Sequence, residues 1–342
     1  MDKRILISGK RTNLVDIVPL EVPLTIELGI TNACNLKCEF CEHSSEKYKQ
    51  VKTKNMDIEI IKKLVKDASG GGYRFKQVLF AGMGEPLVNA QIADIVKIIS
   101  DSNITDRIGI VTNGTLLKPE LAEKLIDAGL NVLRISLNGL SGEDYKKYTG
   151  VPVDFDQMYE NIKFFYEKAV EARKRGKDIS VYIKIMDYMI ESSEEKKLFF
   201  KEKFEPICDV LNIENLGPVF QDVDYDKFGK KNLKTKFGEK ATDGNICQLV
   251  FFRMLISPEG DALACCRDFG FIPHQLIMGN IKEENLLDIW NGEKYRQLRL
   301  NILKSNVQGT ICDGCVTYKW DANKEDIIDS KREDLISYYE NK

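Results

Sequence analysis

Apolar, strand-like runs alternate with amphipathic helical segments from Leu24 to Glu214, and this alternation limits the fold more than any other feature. The strand-like runs are Leu24–Ile30, Gln77–Ala81, Ile108–Thr112, Val132–Ser136, Ile179–Ile185 and Asp209–Ile213. Helical segments over Asp57–Ala68, Ala90–Ser100, Pro119–Ala128, Phe155–Arg175 and Ser193–Phe204 lie between them. In the first, Ile58, Ile61, Leu64, Val65 and Ala68 share one face. Asp57 offers an N-cap there and Gly70-Gly71-Gly72 a stop. Six β-α repeats predict an α/β fold with a parallel sheet and right-handed crossovers. That is short of the eight units of a closed barrel.

The character of the chain changes near residue 219. Residues 219–245 are rich in Asp, Lys and Gly and weak in periodicity, which predicts a linker between a first unit (1–218) and a second (246–320). Leu249–Ser257, the turn Pro258-Glu259-Gly260-Asp261 and Ala262–Cys266 predict a hairpin. Helices are expected around Leu286–Ile289 and Tyr295–Ser305, and a charged terminal helix in 321–342, from Glu325 onward.

Nine cysteines in a chain of 342 residues with no export-type N-terminus argue for metal ligation rather than disulfides. Cys34, Cys38 and Cys41 follow the first strand with C-x3-C-x2-C spacing. Three thiolates are one short of what an iron–sulfur cubane takes, so one iron stays open, as a catalytic metal keeps a position for its reactant. Cys247, Cys265, Cys312 and Cys315 form a second set that fits a fully ligated cluster and also fits tetrahedral zinc. Cys266 leaves open which of the adjacent pair ligates. The Gly260 spacing favours Cys265, and strand alternation lets only one of the two face a ligand.

Glycines in Gly82-Met83-Gly84-Glu85-Pro86, after the second strand, allow close backbone approach, and Glu85 offers an acceptor for an ammonium. Ser136 and Asn138 share a face at the end of the fourth strand, where hydroxyl and amide groups suit ribose hydroxyls, although Asn138-Gly139 is also turn chemistry. Thr112, Asn113, Lys184 and Asp187 lie on the same carboxyl-end rim, where parallel α/β sheets bind ligands. The formal charge of −3 gives no basic field for nucleic acid. No apolar run approaches the roughly 18 residues of a membrane span.

The three-cysteine motif and the G-x-G-E-P segment resemble those of the radical S-adenosylmethionine (radical SAM) enzymes. The second cysteine set resembles a shortened SPASM, or twitch, domain, with spacing similar to that of the 2-deoxy-scyllo-inosamine dehydrogenases. The resemblance implies a partial (β/α)6 barrel followed by a small α+β twitch domain, holding two 4Fe–4S clusters and SAM. It implies that Cys34, Cys38 and Cys41 hold the cofactor cluster, with the other four cysteines around an auxiliary one. Phe40 would sit beside adenine, the backbone at Gly84 and the Glu85 carboxylate at the methionyl amine, and Ser136 and Asn138 at the ribose. The implied reaction is hydrogen abstraction from a sugar or aminocyclitol carbon by a 5′-deoxyadenosyl radical. Oxidation is then completed through the auxiliary cluster, with Arg134 among the candidate bases.

Other readings stay open. A radical epimerase, or another modification of a carbohydrate or peptide, would use a thiol hydrogen donor, Cys266 or the more core-like Cys208. A non-catalytic iron–sulfur electron carrier would need four ligands at every cluster. About 23 residues precede the first strand, too few for a peptide-recognition domain, which favours a small substrate. The expected setting is the cytoplasm, with a flavodoxin or ferredoxin as external electron donor and no nucleic-acid or membrane partner.

Overall fold

All six expected strands form, and each pairs in parallel with its sequence neighbour. The computed structural model describes residues 11–220, 223–228, 234–241, 243–270 and 274–342. The strands are β1 (Thr25–Leu28), β2 (Gln77–Phe80), β3 (Ile108–Thr112), β4 (Val132–Leu137), β5 (Ser180–Met186) and β6 (Val210–Glu214). The helices between them are α1 (Ile58–Gly71), α2 (Ile92–Ser102), α3 (Pro119–Asp127), α4 (Gly142–Thr149), α5 (Phe155–Lys174) and α6 (Glu194–Phe204). The Asp57 carboxylate caps α1 by accepting from the Glu59 amide at 3.0 Å, and Gly72 ends it at φ 67°.

Strand period sorts the side chains into two layers. Ile26, Leu28, Val78, Phe80, Ile110, Leu133, Ile135, Ile183 and Ile185 point out to the helices and are fully buried. The alternate positions, Glu27, Arg134, Ser136, Tyr182, Lys184 and Glu214, point inward. These positions make that side of the sheet polar, and the groups of the barrel site described below project into it or onto its rim.

Two elements depart from expectation. The short helix α4 has only Tyr145, Tyr148 and Thr149 to bury and so carries no readable apolar stripe. The expected hairpin forms as β7 (Arg253–Ile256) and β8 (Asp261–Leu263), turning at Gly260 with φ 91°, and a third strand, β9 (Ile277–Asn280), pairs with β8. Instead of standing apart, β7 pairs in parallel with β1, so one sheet runs β6-β5-β4-β3-β2-β1-β7-β8-β9.

Among the described residues of the expected linker are a 3-10 turn at Asp226–Phe228 and a bridge between Lys234 and Lys240. Its residues 221–222, 229–233 and 242 lie outside the described residues. The helices α7 (Leu286–Asn291) and α8 (Glu293–Leu303) match the expected pair, and a short turn, α9 (Thr317–Asp321), follows the last cysteine. The terminal helix α10 (Arg332–Asn341) starts later than expected, because Asn323 and Asp326 form a capping box around a 3-10 turn.

Candidate functional site

The loop carrying Cys34, Cys38 and Cys41 leaves the carboxyl end of β1 and is pinned from three sides. The carbonyls of Thr149 and Tyr148, at the end of α4, accept from the amides of Lys37 (3.1 Å) and Glu39 (3.0 Å). Asn35 accepts from the Asn113 amide group at 2.9 Å and donates to Thr115 Oγ1 at 2.8 Å. The Ala33 carbonyl accepts from the Glu85 amide at 2.9 Å. Burial is the first cause of the raised pKa of all three thiols, with Cys34 pushed up to about 11. The charge of Cys34 adds to the shift at Cys38, and that of Cys38 to the shift at Cys41. The positive charge of a bound iron centre would reverse that logic and deprotonate them.

Glu85, the expected ammonium acceptor, is buried and hydrogen-bonded within its own chain. Its Oε1 accepts from Thr112 Oγ1 at 2.6 Å and the Leu87 amide at 3.0 Å, and its Oε2 from the Asn113 amide at 2.7 Å. The carboxylate is buried and engaged by its own chain, bolting the loop after β2 to the end of β3. Gly84 is likewise committed. A Cβ there would lie 2.3 Å from the Ala33 carbonyl oxygen, so the close approach its lack of a side chain permits is to the cysteine loop. Thr112 and Asn113 are spent on the same framework, and Asp187 accepts from the Leu216 amide at 3.1 Å. His43 contacts the Met83 carbonyl through Nε2 and lies against Tyr48, the two rings tilted by 48°.

Beside this loop a cavity of about 320 Å³ opens at the carboxyl end of the barrel, with Phe40, Gly82, Ser136, Asn138, Lys184 and Trp320 in its wall. Phe40, Ser136 and Asn138 thus come together as expected, and Asn138 Oδ1 lies 3.5 Å from Cys38 Sγ. An aromatic ring, a hydroxyl and an amide beside a three-thiol loop fit an adenosine-bearing cofactor. Arg134 lies one layer deeper than Ser136, its guanidinium 5.5 Å from the Tyr182 ring centroid, and it is not among the cavity-lining residues.

Beneath the cavity is a network that sequence reasoning missed. Lys184 Nζ lies 2.5 Å from Glu214 Oε2, and the Tyr182 hydroxyl donates to Glu214 Oε1 at 2.7 Å. Burial lowers the Lys184 pKa, with Glu214 opposing it, while the Lys184 ammonium holds the buried Glu214 carboxyl below its ordinary value. A second set joins Arg253 to Glu27 (3.4 Å) and to Asp321 (3.6 Å), with Lys236 on Asp321 at 2.5 Å. The signal for both was present: charged residues at alternate positions of parallel strands that otherwise read as continuous apolar runs.

The second cysteine set also assembles. Cys247, Cys265, Cys312 and Cys315 line one cavity of about 270 Å³ with Arg267 and Tyr318. The Cys247 thiol is raised first by burial and then by the charges of Cys315 and Cys312. Among the described residues no three His, Cys, Asp or Glu side chains stand close enough to hold one metal ion. Cys266, at the start of a 3-10 turn beyond the end of β8, touches the Cys265 side chain but does not line that cavity. It packs with Met83, Leu255 and Leu263, and its sulfur lies 3.4 Å from Arg253 Nη2. Cys208 is buried in the main core.

Residues 28–190 match the radical SAM superfamily and residues 247–316 the SPASM iron–sulfur cluster-binding domain. A probable GTP 3′,8-cyclase of Methanococcus maripaludis is 37% identical over 147 residues, which cover 43% of this chain and 45% of that protein, less than half its length. An AdoMet-dependent heme synthase of Methanosarcina barkeri is 23% identical over 83% of this chain and 86% of that protein. Among solved structures, BtrN in complex with AdoMet and 2-DOIA aligns at TM-score 0.52 and 18% identity, covering 82% of this chain and 87% of BtrN. Streptococcus suis SuiB bound to precursor peptide SuiA aligns at TM-score 0.60 and 18% identity, covering 90% and 76%. At these identities the structural likeness is one of fold. No helix among the described residues is long and apolar enough to cross a membrane. The two matched domains, with their thiol sets at two cavities, make the chain a member of the radical SAM superfamily, an enzyme with a 4Fe–4S and SAM site in its barrel and a SPASM iron–sulfur domain behind it.

Proposed function

We propose that this enzyme oxidises a hydroxylated carbon of a small sugar-like or aminocyclitol substrate, in the cytoplasm, drawing electrons from a flavodoxin or ferredoxin. The observation that carries this reading is the set of four thiols around one auxiliary cavity. Four ligands leave no open position for substrate, which suits electron transfer rather than substrate coordination. When bound, SAM and its cluster supply a 5′-deoxyadenosyl radical, and the auxiliary cluster supplies an electron sink. Ser136 and Asn138 offer a hydroxyl and an amide to hydroxyl groups on the ligand side. Lys184, in the cavity wall and tied to Glu214, offers a donor to the oxygen of the oxidised carbon, whose proton leaves to water in the cavity. Arg134 is read as a support for the Tyr182–Glu214 pair. Nothing basic is added to the surface for nucleic acid, and a peptide remains the alternative substrate class in the family.

A panel of sugars, sugar acids and aminocyclitols, incubated anaerobically with reduced enzyme and SAM, tests this. The expected result is a product two mass units lighter with one 5′-deoxyadenosine formed per turnover. Solvent deuterium uptake at carbon without the loss of two mass units would establish epimerisation instead. Epimerisation needs a hydrogen donor, and the packing of Cys266 against Met83 and Arg253 supports oxidation over it. Cys266→Ala is accordingly expected to keep both clusters and most of its turnover. Loss of product with 5′-deoxyadenosine still made would restore the epimerase reading.

Glu85→Gln tests the role assigned to the carboxylate. An amide group keeps one acceptor and turns a donor on one of three donors, so the cofactor-free protein is expected to lose about 1–3 kcal/mol in urea unfolding. SAM affinity then falls as a consequence. Unchanged stability with weakened SAM binding would return Glu85 to direct contact with the methionyl amine.

A further inference from the structure

The turn α9 belongs to two cavities at once. Tyr318, three residues after Cys315, lines the four-thiol cavity, and Trp320 lines the barrel cavity. Five residues in one helical turn leave no slack between them, so a shift of one end moves the other. The remaining contacts of the turn tie both ends down. On the thiol side, Gln248, next to Cys247, donates to the Tyr318 carbonyl at 2.9 Å. On the barrel side, the Trp320 indole N–H donates to the Asn215 carbonyl, just beyond β6, at 2.8 Å. The indole lies close against Gly217, where a Cβ would come within 2.3 Å of the ring. The Trp320 carbonyl accepts from the Lys236 amide (2.9 Å), and the Lys236 carbonyl accepts from the Asn215 amide (2.8 Å), closing a loop of bonds around the cavity wall. Asp321 then anchors the turn to Lys236 and, through Arg253, to Glu27 on β1.

We propose that Trp320 is a positioning residue, a wall of the barrel cavity whose placement is set by occupancy of the four-thiol site through α9. Ligand binding in the barrel therefore depends on the auxiliary site. The inference rests on the cofactor sites of the family and stands whichever reaction the enzyme performs. Binding a cluster fixes the backbone at Cys312 and Cys315, as metal ligation generally couples to local folding. Without it that turn is held by short-range bonds, the Cys315 amide on the Cys312 carbonyl at 3.2 Å, the Asp313 amide on the Thr310 carbonyl at 3.0 Å, the Cys312 amide on Thr310 Oγ1 at 3.2 Å and the Gly309 amide on Asp313 Oδ2 at 3.1 Å. The coupling is reciprocal, so a ligand in the barrel cavity also stabilises the auxiliary site.

Hydrogen exchange read by mass spectrometry on anaerobically reconstituted protein tests this without any substrate. Three proteins are compared: wild type, Cys312→Ser/Cys315→Ser, and Trp320→Phe, with SAM as the probe ligand. The double variant is expected to keep the barrel cluster and to lose amide protection both at residues 316–321 and across the cavity at residues 215–220. Its SAM affinity is expected to fall roughly fivefold or more, a coupling of ordinary allosteric size. Exchange changes confined to residues 310–318, with residues 215–220 and SAM affinity as in wild type, would overturn the proposal. Should the double variant fail to load its barrel cluster, Trp320→Phe decides. It retains the ring but not the indole N–H, and is expected to lose protection at residues 215–217 with both clusters intact. Unchanged protection there would overturn the proposal. An enzyme that makes no oxidised product yet shows these exchange changes would fail the functional reading and leave this one standing.

Discussion

Replacing Cys34, Cys38 and Cys41 together by alanine is expected to halve the iron of the reconstituted protein, from on the order of eight atoms per chain to about four, on cubane stoichiometry. Formation of 5′-deoxyadenosine is expected to stop altogether. The residual iron belongs to Cys247, Cys265, Cys312 and Cys315, which line their own cavity and share no hydrogen bond with the first loop among the described residues. Iron and acid-labile sulfide analysis, with the paramagnetic spectrum of the reduced protein, reads the result. Full iron content in the triple variant would mean that the barrel loop holds no cluster. Zinc in place of the residual iron would make the second site a mononuclear one.

Glu214→Gln is expected to cost about 3–5 kcal/mol at neutral pH, the range found when one partner of a buried ion pair is removed. Glu214 is essentially inaccessible and Lys184 is 11% exposed, so water cannot replace the lost carboxylate. The pH dependence has a definite sign. In the native protein the carboxyl is held below its ordinary value by Lys184, so its stabilisation is present above the unfolded value of about 4.3 and is lost as pH falls through the lower folded value. In the variant, Lys184 keeps the downward shift due to burial without an opposing partner. Its stability should then rise with pH as the lone ammonium sheds its proton. Urea unfolding from acid to alkaline pH reads both slopes. A variant as stable as wild type, or one indifferent to pH, would show the pair to be solvent-screened. Lys184→Met combined with Glu214→Gln is expected to recover much of the loss, since no unpaired charge then remains buried.

Some of this architecture was written in local spacing. The six parallel strands followed from apolar runs, and their crossovers from one-sided helices such as α1, because strand and helix periods are properties of a few neighbouring residues. Both cysteine sets were equally legible, since a ligand pair such as Cys312 and Cys315 is set by a turn. The alternation argument for Cys265 and Cys266 assumed a strand through both, whereas β8 ends at Leu263 and Cys266 opens a 3-10 turn; of the two, Cys265 lines the thiol cavity and Cys266 lies beside Arg253.

Other features depended on residues far apart in the chain. Nothing local says that Arg253–Ile256 lies beside β1 rather than in a separate sheet, because Glu27 and Leu255 meet across more than two hundred residues. The short helix α4 carries too little apolar surface to announce itself, yet its last carbonyls hold the cysteine loop. Glu85 read as a ligand-binding acid because its motif is local. Its hydrogen bonds to Thr112 and the Asn113 amide appear only because β3 is folded beside it. Trp320 gave no sign from its neighbours of entering the barrel. The sequence by itself determined which residues can ligate iron and which runs can form the sheet, since both rest on short-range period and donor chemistry. Only the tertiary structure decided which polar side chains share the barrel interior, because a buried charge tolerates its site only where a distant partner has been folded against it.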